Sequence, residues 1–234
     1  MDIIQNKALL LRARNPNVIL DTIPKSKAVG ENEVVVYWGI RESQVLKKLG
    51  FKNTPSPIKK EYKWNSKFKP FDHQIETSSF LTLHKKACCF NEQGTGKTAS
   101  VIWAADYLMS LGEVRRALII CPLSIMSSAW MDDLFSCAMH RTAAVCHGAR
   151  KKRQEIINSA AEFVVINYDG VEIVEEEIKK GAFDLIVVDE ANAYKNVSTK
   201  RWKVLNRLVQ PSTYLWMLTG TPASQSPVDA YGLA

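Results

Sequence analysis

The chain has 234 residues, 46% of them apolar, and carries 31 Lys and Arg against 24 Asp and Glu, a formal charge of +7. This length is sufficient for one sizeable hydrophobic core with a small appendage. The sequence has no apolar run long enough to span a bilayer and no secretory signal, which favours a soluble, intracellular protein with no membrane partner. The five cysteines include no Cys-x-x-Cys pair, which favours buried reduced thiols over zinc ligands or disulfides.

The positive charge is concentrated near the N-terminus. Residues 1–70 hold 14 Lys and Arg against 6 Asp and Glu, whereas residues 71–234 hold 17 against 18. Such an excess suits a polyanionic partner, because Lys and Arg neutralise phosphates and release their counterions. A solvated basic surface explains the same charge equally well.

The N-terminal elements suggest a small basic α+β module over residues 1–58. The stretches "VILDTI" and "EVVVYWGI" are typical of strands, and "RESQVLKKLGF" is typical of a helix. Residues 59–70, which are rich in lysine and end at Pro70, predict a linker or an edge strand. Period two places Tyr62, Trp64 and Phe68 on one face and Lys63, Lys67 and Lys69 on the other. The aromatics either stack on nucleic-acid bases or, as we prefer, pack on the N-terminal module.

Beyond residue 70 the pattern changes to that of an α/β protein. Short continuous apolar runs alternate with amphipathic helical patterns, which predicts a mostly parallel sheet covered by helices on both faces. The helical signals are a stripe at Val101, Ala105, Leu108 and Leu111, a second at Val171, Val174 and Ile178 that ends with Gly181 at C′, and an N-cap at Thr199.

A glycine-bearing loop follows the apolar run at residues 87–90 and opens a helix. Gly94, Thr95 and Gly96 let backbone N–H groups face phosphate oxygens, Lys97 reaches the phosphates, and Thr98 supplies a hydroxyl to Mg²⁺. Asn91 stands where the first glycine of the usual phosphate-loop (P-loop) pattern is found. Strand before and helix after nevertheless predict a nucleotide site.

An acidic pair follows another apolar run, "LIVV". Asp189 and Glu190 are therefore expected at the carboxyl end of the sheet, where ligands of open α/β sheets bind. Asp189 suits Mg²⁺ binding, and Glu190 suits orienting and deprotonating a water molecule. The alternative is a helix-capping Asp followed by a surface Glu.

Several stretches, taken in order, resemble the motifs of one helicase family. They are "HQ" (73–74), "NEQGTGKT" (91–98), "LIICPLSIMSSAWMDDL" (118–134), "HG" (147–148), "VVINYD" (164–169), "DLIVVDEANAYKN" (184–196) and "WMLTGTP" (216–222). Residues 71–234 are thus similar to the first RecA-like lobe of Swi/Snf-type superfamily 2 helicases. The resemblance implies an ATP-binding P-loop domain that uses ATP and Mg²⁺ and acts on DNA.

The resemblance also implies roles for single residues. Gln74 matches the family's adenine-reading glutamine, for which the alternative is a surface glutamine opening a helix. Thr219 and Thr221 match the segment that couples nucleotide state to the DNA track. Asn192 replaces a histidine that contributes to this coupling in relatives, so we expect coupling to be altered more than ATP binding. Contacts to the backbone of double-stranded DNA are expected from the loops that contain Pro122, Ser124, Asn167 and Tyr168.

Family motors have a second RecA-like lobe that supplies arginine fingers, and the sequence ends before it. We therefore expect the 234-residue chain to bind Mg-ATP weakly and to hydrolyse it poorly. The function implied is that of the ATP-binding lobe of a DNA-dependent ATPase that moves on, remodels or anneals duplex DNA. Two alternatives stay open: a non-catalytic scaffold that binds DNA or a helicase, and the motor lobe of a restriction translocase.

Overall fold

The structure, a computed structural model, describes residues 1–64 and 67–221. Contacts divide the chain into two compact units, Met1–Lys63 with Thr82–His84 and Trp64–Leu81 with Lys85–Ala234. The boundaries expected at residues 58 and 70 stay predictions.

The first unit is built on a four-stranded antiparallel sheet. Its strands are β1 (Asp2–Ile4), β2 (Ala8–Arg12), β3 (Ser26–Ala28) and β4 (Glu33–Tyr37), in the order β1-β2-β4-β3. Its helices are α1 (Pro16–Thr22), α2 (Ile40–Lys48) and α3 (Ile58–Glu61). Alternate residues of β2 and β4 are buried, with Leu9 and Leu11 opposite Val36 and Val34. One face of this sheet therefore forms the core of the unit.

The strand predicted for "VILDTI" is wrong, because residues 18–22 belong to α1. Pro16 begins this helix, and its fixed φ suits the first helical position. Ile19 and Ile23 are buried and Val18 is exposed. The spacing of four residues between the buried positions is that of a helix and not of a strand.

The edge strand predicted within residues 59–70 is also wrong. Residues 58–61 form α3, and the described parts of the segment, residues 59–64 and 67–70, contain no strand. Ile58 is fully buried and anchors the helical turn. The rings of Trp64 and Phe68 contact Trp103 edge-on, at centroid distances of 5.6 and 5.8 Å. These two ring contacts therefore lie within the second unit, and packing of the aromatics on the N-terminal module stays a prediction.

The second unit contains a six-stranded, all-parallel sheet, which confirms the predicted fold class. Its strands are β5 (Lys86–Cys89), β6 (Ala117–Cys121), β7 (Ala143–Cys146), β8 (Phe163–Asn167), β9 (Leu185–Val188) and β10 (Tyr214–Leu218), in the order β5-β10-β9-β6-β8-β7. The helices are α4 (Asp72–Leu83), α5 (Lys97–Ser110), α6 (Asp132–Ala138), α7 (Arg150–Ile157), α8 (Tyr168–Ile173), α9 (Glu175–Lys180) and α10 (Lys200–Leu208). Every residue of β6 and β9 is buried, as expected of strands covered on both faces.

The helical signals are confirmed in part. Val101, Ala105 and Leu108 are buried on α5, whereas Leu111 is its C-cap and is exposed. Thr199 caps α10 by accepting a hydrogen bond from the Trp202 N–H, as predicted. The stripe of residues 171–178 is divided between α8 and α9. Gly181 is the C-cap with φ −70°, and the left-handed residue after it is Ala182, with φ +49°. The predicted glycine at C′ is thus wrong by one position.

Strand order brings the two chemical motifs together. β10 lies between β5 and β9 and pairs in parallel with both. The segments that follow β5 and β9 therefore begin at the same edge of the sheet, with one strand between them. This is the edge at which open α/β sheets bind ligands.

Candidate functional site

The loop between β5 and α5 has the backbone that the glycine pattern predicts. Gly94 and Gly96 have φ of +76° and +71°, a region that other residues rarely adopt. Gly96 is the N-cap of α5, a helix of 14 residues. The loop therefore directs backbone N–H groups and the positive end of a helix dipole to one point.

Lys97 and Thr98 begin α5 and are both half-buried. The Lys97 ammonium donates to the carbonyls of Asn91 (2.9 Å) and Glu92 (2.8 Å), so it lies against the inside of the loop. The Asn91 side-chain N–H donates to the Thr77 hydroxyl at 2.8 Å. In this chain the residue that replaces the first glycine therefore fastens the loop to α4.

Gln74 lies beside the same loop. Its side-chain oxygen accepts from the Phe71 N–H at 2.9 Å, and its side-chain N–H donates to the Thr95 carbonyl at 3.4 Å. The residue is only 5% exposed, so the alternative of a surface glutamine is wrong. A Cβ added to Gly96 would lie 2.1 Å from the Gln74 amide nitrogen, which shows how closely the two residues approach.

The acidic turn, residues 189–194, begins directly after β9. Asp189 is 7% exposed, and its two carboxylate oxygens accept from the Trp130 indole N–H (3.0 Å) and the Glu190 backbone N–H (2.9 Å). Burial raises the pKa of Asp189, while the two hydrogen bonds and the charge of Lys97 oppose the rise. The carboxylate is thus buried, bonded on both oxygens and electrostatically coupled to the phosphate loop.

Two partners of the acidic turn were not assigned to it from the sequence. Trp130 lies in a π-helical turn, Met126–Met131, and is fully buried. The Tyr168 hydroxyl donates to the backbone carbonyls of Asp189 (2.6 Å) and Glu190 (3.3 Å). Both come from segments 21 to 60 residues away in the chain, so only the quoted motifs that contain them offered a signal.

Glu190 adopts an unusual backbone conformation, with φ +47° and ψ +56°. A residue with a side chain costs about 1 to 3 kcal/mol in such a region unless its surroundings hold it there. Glu190 also begins the short 3₁₀ helix Ala191–Tyr194.

The acidic turn is bonded to the threonine segment after β10. The Asn192 side-chain N–H donates to the Thr221 hydroxyl at 2.8 Å, and the Thr221 N–H donates to the Thr219 hydroxyl at 3.1 Å. Thr219 is fully buried, and its N–H donates to the Cys89 carbonyl at the end of β5. Pro222, the last residue of the quoted motif, lies outside the described residues.

The residues expected at DNA lie at the carboxyl ends of β6 and β8. Asn167 is the last residue of β8 and Tyr168 the first of α8, so the loop expected at these two residues is wrong. Pro122 is half-buried and Ser124 is exposed. The Asn167 side-chain oxygen accepts from Arg153, which also donates to the Cys146 and Gly148 carbonyls and is 5% exposed. Asn167 and Tyr168 thus have internal partners, and their contact with DNA stays a prediction.

These residues fit a magnesium nucleotide. Two glycines with positive φ, the Lys97 ammonium and the Thr98 hydroxyl lie in or directly after one loop. The buried carboxylate of Asp189 follows β9, which is separated from β5 only by β10. Among residues 1–64 and 67–221, no three His, Cys, Asp or Glu side chains gather to hold a metal. That is in keeping with Mg²⁺, which binds through one or two protein ligands together with substrate phosphates.

A comparison with protein families decides the classification. The SNF2-related domain matches residues 55–234, about three quarters of the chain. The chain belongs to the SNF2-related family. This confirms the resemblance to the first lobe of Swi/Snf-type helicases that the motifs indicated.

Proteins similar to this chain include one from a phage, one from a bacterium and one from an archaeon. The chain is 27% identical over 176 residues to putative protein p41 of Acyrthosiphon pisum secondary endosymbiont phage 1, covering 71% of the chain and 38% of p41. It is 25% identical over 170 residues to the uncharacterized ATP-dependent helicase YqhH of Bacillus subtilis, covering 71% of the chain and 29% of YqhH. The Sulfolobus solfataricus SWI2/SNF2 ATPase core in complex with dsDNA superposes with a TM-score of 0.62 at 26% identity, covering 73% of the chain and 36% of that structure.

The SNF2-related chain thus spans less than two fifths of the length of these relatives. Within the described residues, no helix combines the length and apolarity that crossing a membrane requires.

Proposed function

We propose that this chain is the ATP-binding lobe of a Swi/Snf-type DNA-dependent ATPase, which couples ATP hydrolysis to moving on, remodelling or annealing duplex DNA. One observation carries the proposal. The lysine of the phosphate loop and a buried, hydrogen-bonded aspartate follow β5 and β9, which flank the same strand, β10. Family membership supports nucleotide use, and the geometry supports these residues as the ones that perform it.

The phosphate loop accounts for binding of the triphosphate. The N–H groups of Gly94, Thr95 and Gly96 donate to phosphate oxygens, and Lys97 neutralises their charge. Gln74 reads the adenine, because a side-chain amide both donates and accepts. Its place against Gly96 supports this role.

The acidic turn accounts for hydrolysis. Thr98 and Asp189 would hold Mg²⁺, which when bound offsets the charge that develops on the phosphates. Glu190 orients the attacking water and accepts its proton. Burial raises the pKa of Asp189, and the hydrogen bonds from Trp130 and from the Glu190 N–H oppose that rise by favouring the carboxylate.

DNA is the second substrate of the proposed motor. The superposed Sulfolobus structure is a complex with double-stranded DNA, which supports the same partner here. Pro122 and Ser124 follow β6, and Asn167 and Tyr168 lie where β8 ends and α8 begins, all at the carboxyl edge of the sheet. There they would contact the DNA backbone, Tyr168 through its main-chain N–H and not through its hydroxyl. Asn192 links the acidic turn to Thr219 and Thr221, which supports a coupling role for these three residues.

A second RecA-like lobe completes the proposed motor. An arginine finger from such a lobe is worth roughly 10³- to 10⁵-fold in rate in other nucleotide hydrolases. We therefore expect rapid turnover to require such a lobe.

The test compares nucleotide binding by the wild-type chain and by Lys97→Ala, followed with a fluorescent ATP analogue and Mg²⁺. Loss of a charge-assisted contact should weaken binding roughly 10- to 100-fold. Lys151→Ala is the control, because Lys151 is an exposed lysine of α7 and should have no effect. Equal binding by all three proteins would refute the proposal and favour a non-catalytic scaffold that binds DNA or a helicase.

A further inference from the structure

Tyr168, which follows β8 directly, donates hydrogen bonds to the backbone of the acidic turn. Its hydroxyl lies 2.6 Å from the Asp189 carbonyl and 3.3 Å from the Glu190 carbonyl. We propose that Tyr168 is a positioning residue for ATP hydrolysis, which holds both carboxylates by fixing the backbone that carries them. This inference rests on the proposed function.

The backbone of the acidic turn needs a restraint from outside the turn. Glu190 occupies the left-handed region without being a glycine, so its backbone tends to relax towards a more favourable conformation. Within the turn, the Glu190 N–H donates to an oxygen of the Asp189 carboxylate, the group that would also hold Mg²⁺. The bonds from Tyr168 go to backbone carbonyls and are independent of the charge on Asp189.

Tyr168 is itself well oriented. Its ring meets Tyr194 edge-on at a centroid distance of 5.7 Å, and the Arg201 guanidinium lies 4.8 Å from the ring centre. Arg201 is held in turn by Asp169, at 2.9 Å. Burial, together with the nearby Asp189 charge, raises the pKa of Tyr168, so its hydroxyl stays protonated and able to donate.

Packing alone does not fix the ring. Tyr168 borders a cavity of about 330 Å³, which is also lined by Val171, Tyr194 and Val204. Because the residue borders this space and is not enclosed by close packing on every side, the hydroxyl bonds supply a further restraint. They also use the single proton of the hydroxyl, so we assign this group to the acidic turn and not to a DNA phosphate.

The first test needs no nucleotide. Tyr168→Phe removes the hydroxyl and keeps the ring contacts, so amide hydrogen exchange in residues 189–194 should accelerate roughly fivefold. Tyr214→Phe is the control, since it removes a hydroxyl from a buried tyrosine at the start of β10, at the opposite end of the sheet, and should leave that exchange within twofold of wild type. Unchanged exchange in Tyr168→Phe would overturn the inference.

The second test separates positioning from general loss of structure. In Tyr168→Phe the Mg²⁺ concentration needed for half-maximal binding of a fluorescent ATP analogue should rise roughly threefold or more, while nucleotide affinity without Mg²⁺ stays unchanged. A wild-type chain that binds no nucleotide would overturn the proposed function and this inference with it. A Tyr168→Phe chain that matches a nucleotide-binding wild type in both tests would overturn this inference alone.

Discussion

The phosphate loop after β5 and the acidic turn after β9 leave the same edge of the sheet through left-handed residues, yet they stabilise that conformation differently. Gly96 adopts φ +71° without a side chain to oppose it. Glu190 adopts φ +47° and keeps its carboxylate, supported by Tyr168 and by Asp189. A local sequence pattern can thus encode the backbone of the glycine loop, whereas the proposed catalytic side chain of Glu190, in a strained position, depends on residues elsewhere in the fold.

The largest expected effect is in the phosphate loop. In Gly96→Ala the new Cβ would lie 2.1 Å from the Gln74 amide nitrogen and would also oppose the positive φ, so nucleotide affinity should fall roughly 100-fold. Gly94→Ala is a matched control, because Gly94 has a similar φ of +76° but open space around it. Its loss should be no more than roughly tenfold. Equal losses in the two variants, measured by titration with a fluorescent ATP analogue, would show that contact with Gln74 is unimportant.

The next effect concerns the charge of Asp189. Trp130→Phe removes an N–H that lowers the pKa of this buried carboxyl, so that pKa should rise further. A higher pKa leaves less carboxylate as the pH falls, so Mg²⁺-dependent nucleotide binding should weaken on acidification at a higher pH than in the wild-type chain, by roughly tenfold where the difference is largest. The measurement is the pH profile of that binding, with and without Mg²⁺.

Trp103→Phe is the control for the change at Trp130. The Trp103 indole N–H is buried and has no hydrogen-bond partner among the described residues, so only packing is altered. This variant should lose stability without moving the pH profile. A shifted profile in Trp103→Phe, or none in Trp130→Phe, would contradict the role given to the Trp130 N–H.

The smallest expected effect is on the free energy of unfolding and reports the backbone strain at Glu190. Glu190→Gly should be more stable than Glu190→Ala by about 1 kcal/mol in thermal or urea unfolding, because only glycine adopts a positive φ freely. At Asn206, an exposed position within α10, the order should reverse, since glycine is unfavourable inside a helix. An alanine variant that matches glycine at residue 190 would mean that the left-handed conformation costs nothing there.

Much of the second unit follows from sequence patterns, because fully buried strands and a glycine loop leave local signatures. "LIVV" and "ALIIC" are continuous apolar runs, and both form strands buried on both faces. The helix at residues 16–22 was not predictable in this way, because the four apolar residues among the six of "VILDTI" fit a strand or a helix equally well. Only the burial of Ile19 and Ile23, four residues apart, distinguishes the helix from the strand.

The hydrogen bonds that Trp130 and Tyr168 make to the acidic turn could not be predicted from the sequence, for a different reason. Trp130 and Tyr168 lie 59 and 21 residues before Asp189, and strand order alone brings them beside it. "VVINYD" predicted a loop at the correct edge of the sheet. Nothing in the letters shows that the tyrosine hydroxyl turns towards β9.

The bond from Asn91 to Thr77 has a consequence for the thermodynamics of binding. Asn91 ties the start of the phosphate loop to α4, and Gln74, on the same helix, reaches the Thr95 carbonyl near its end. The loop is therefore fastened at both ends to the helix that carries the proposed base-reading side chain. Most of its conformational entropy is lost when the chain folds, and little remains to be lost when a nucleotide enters.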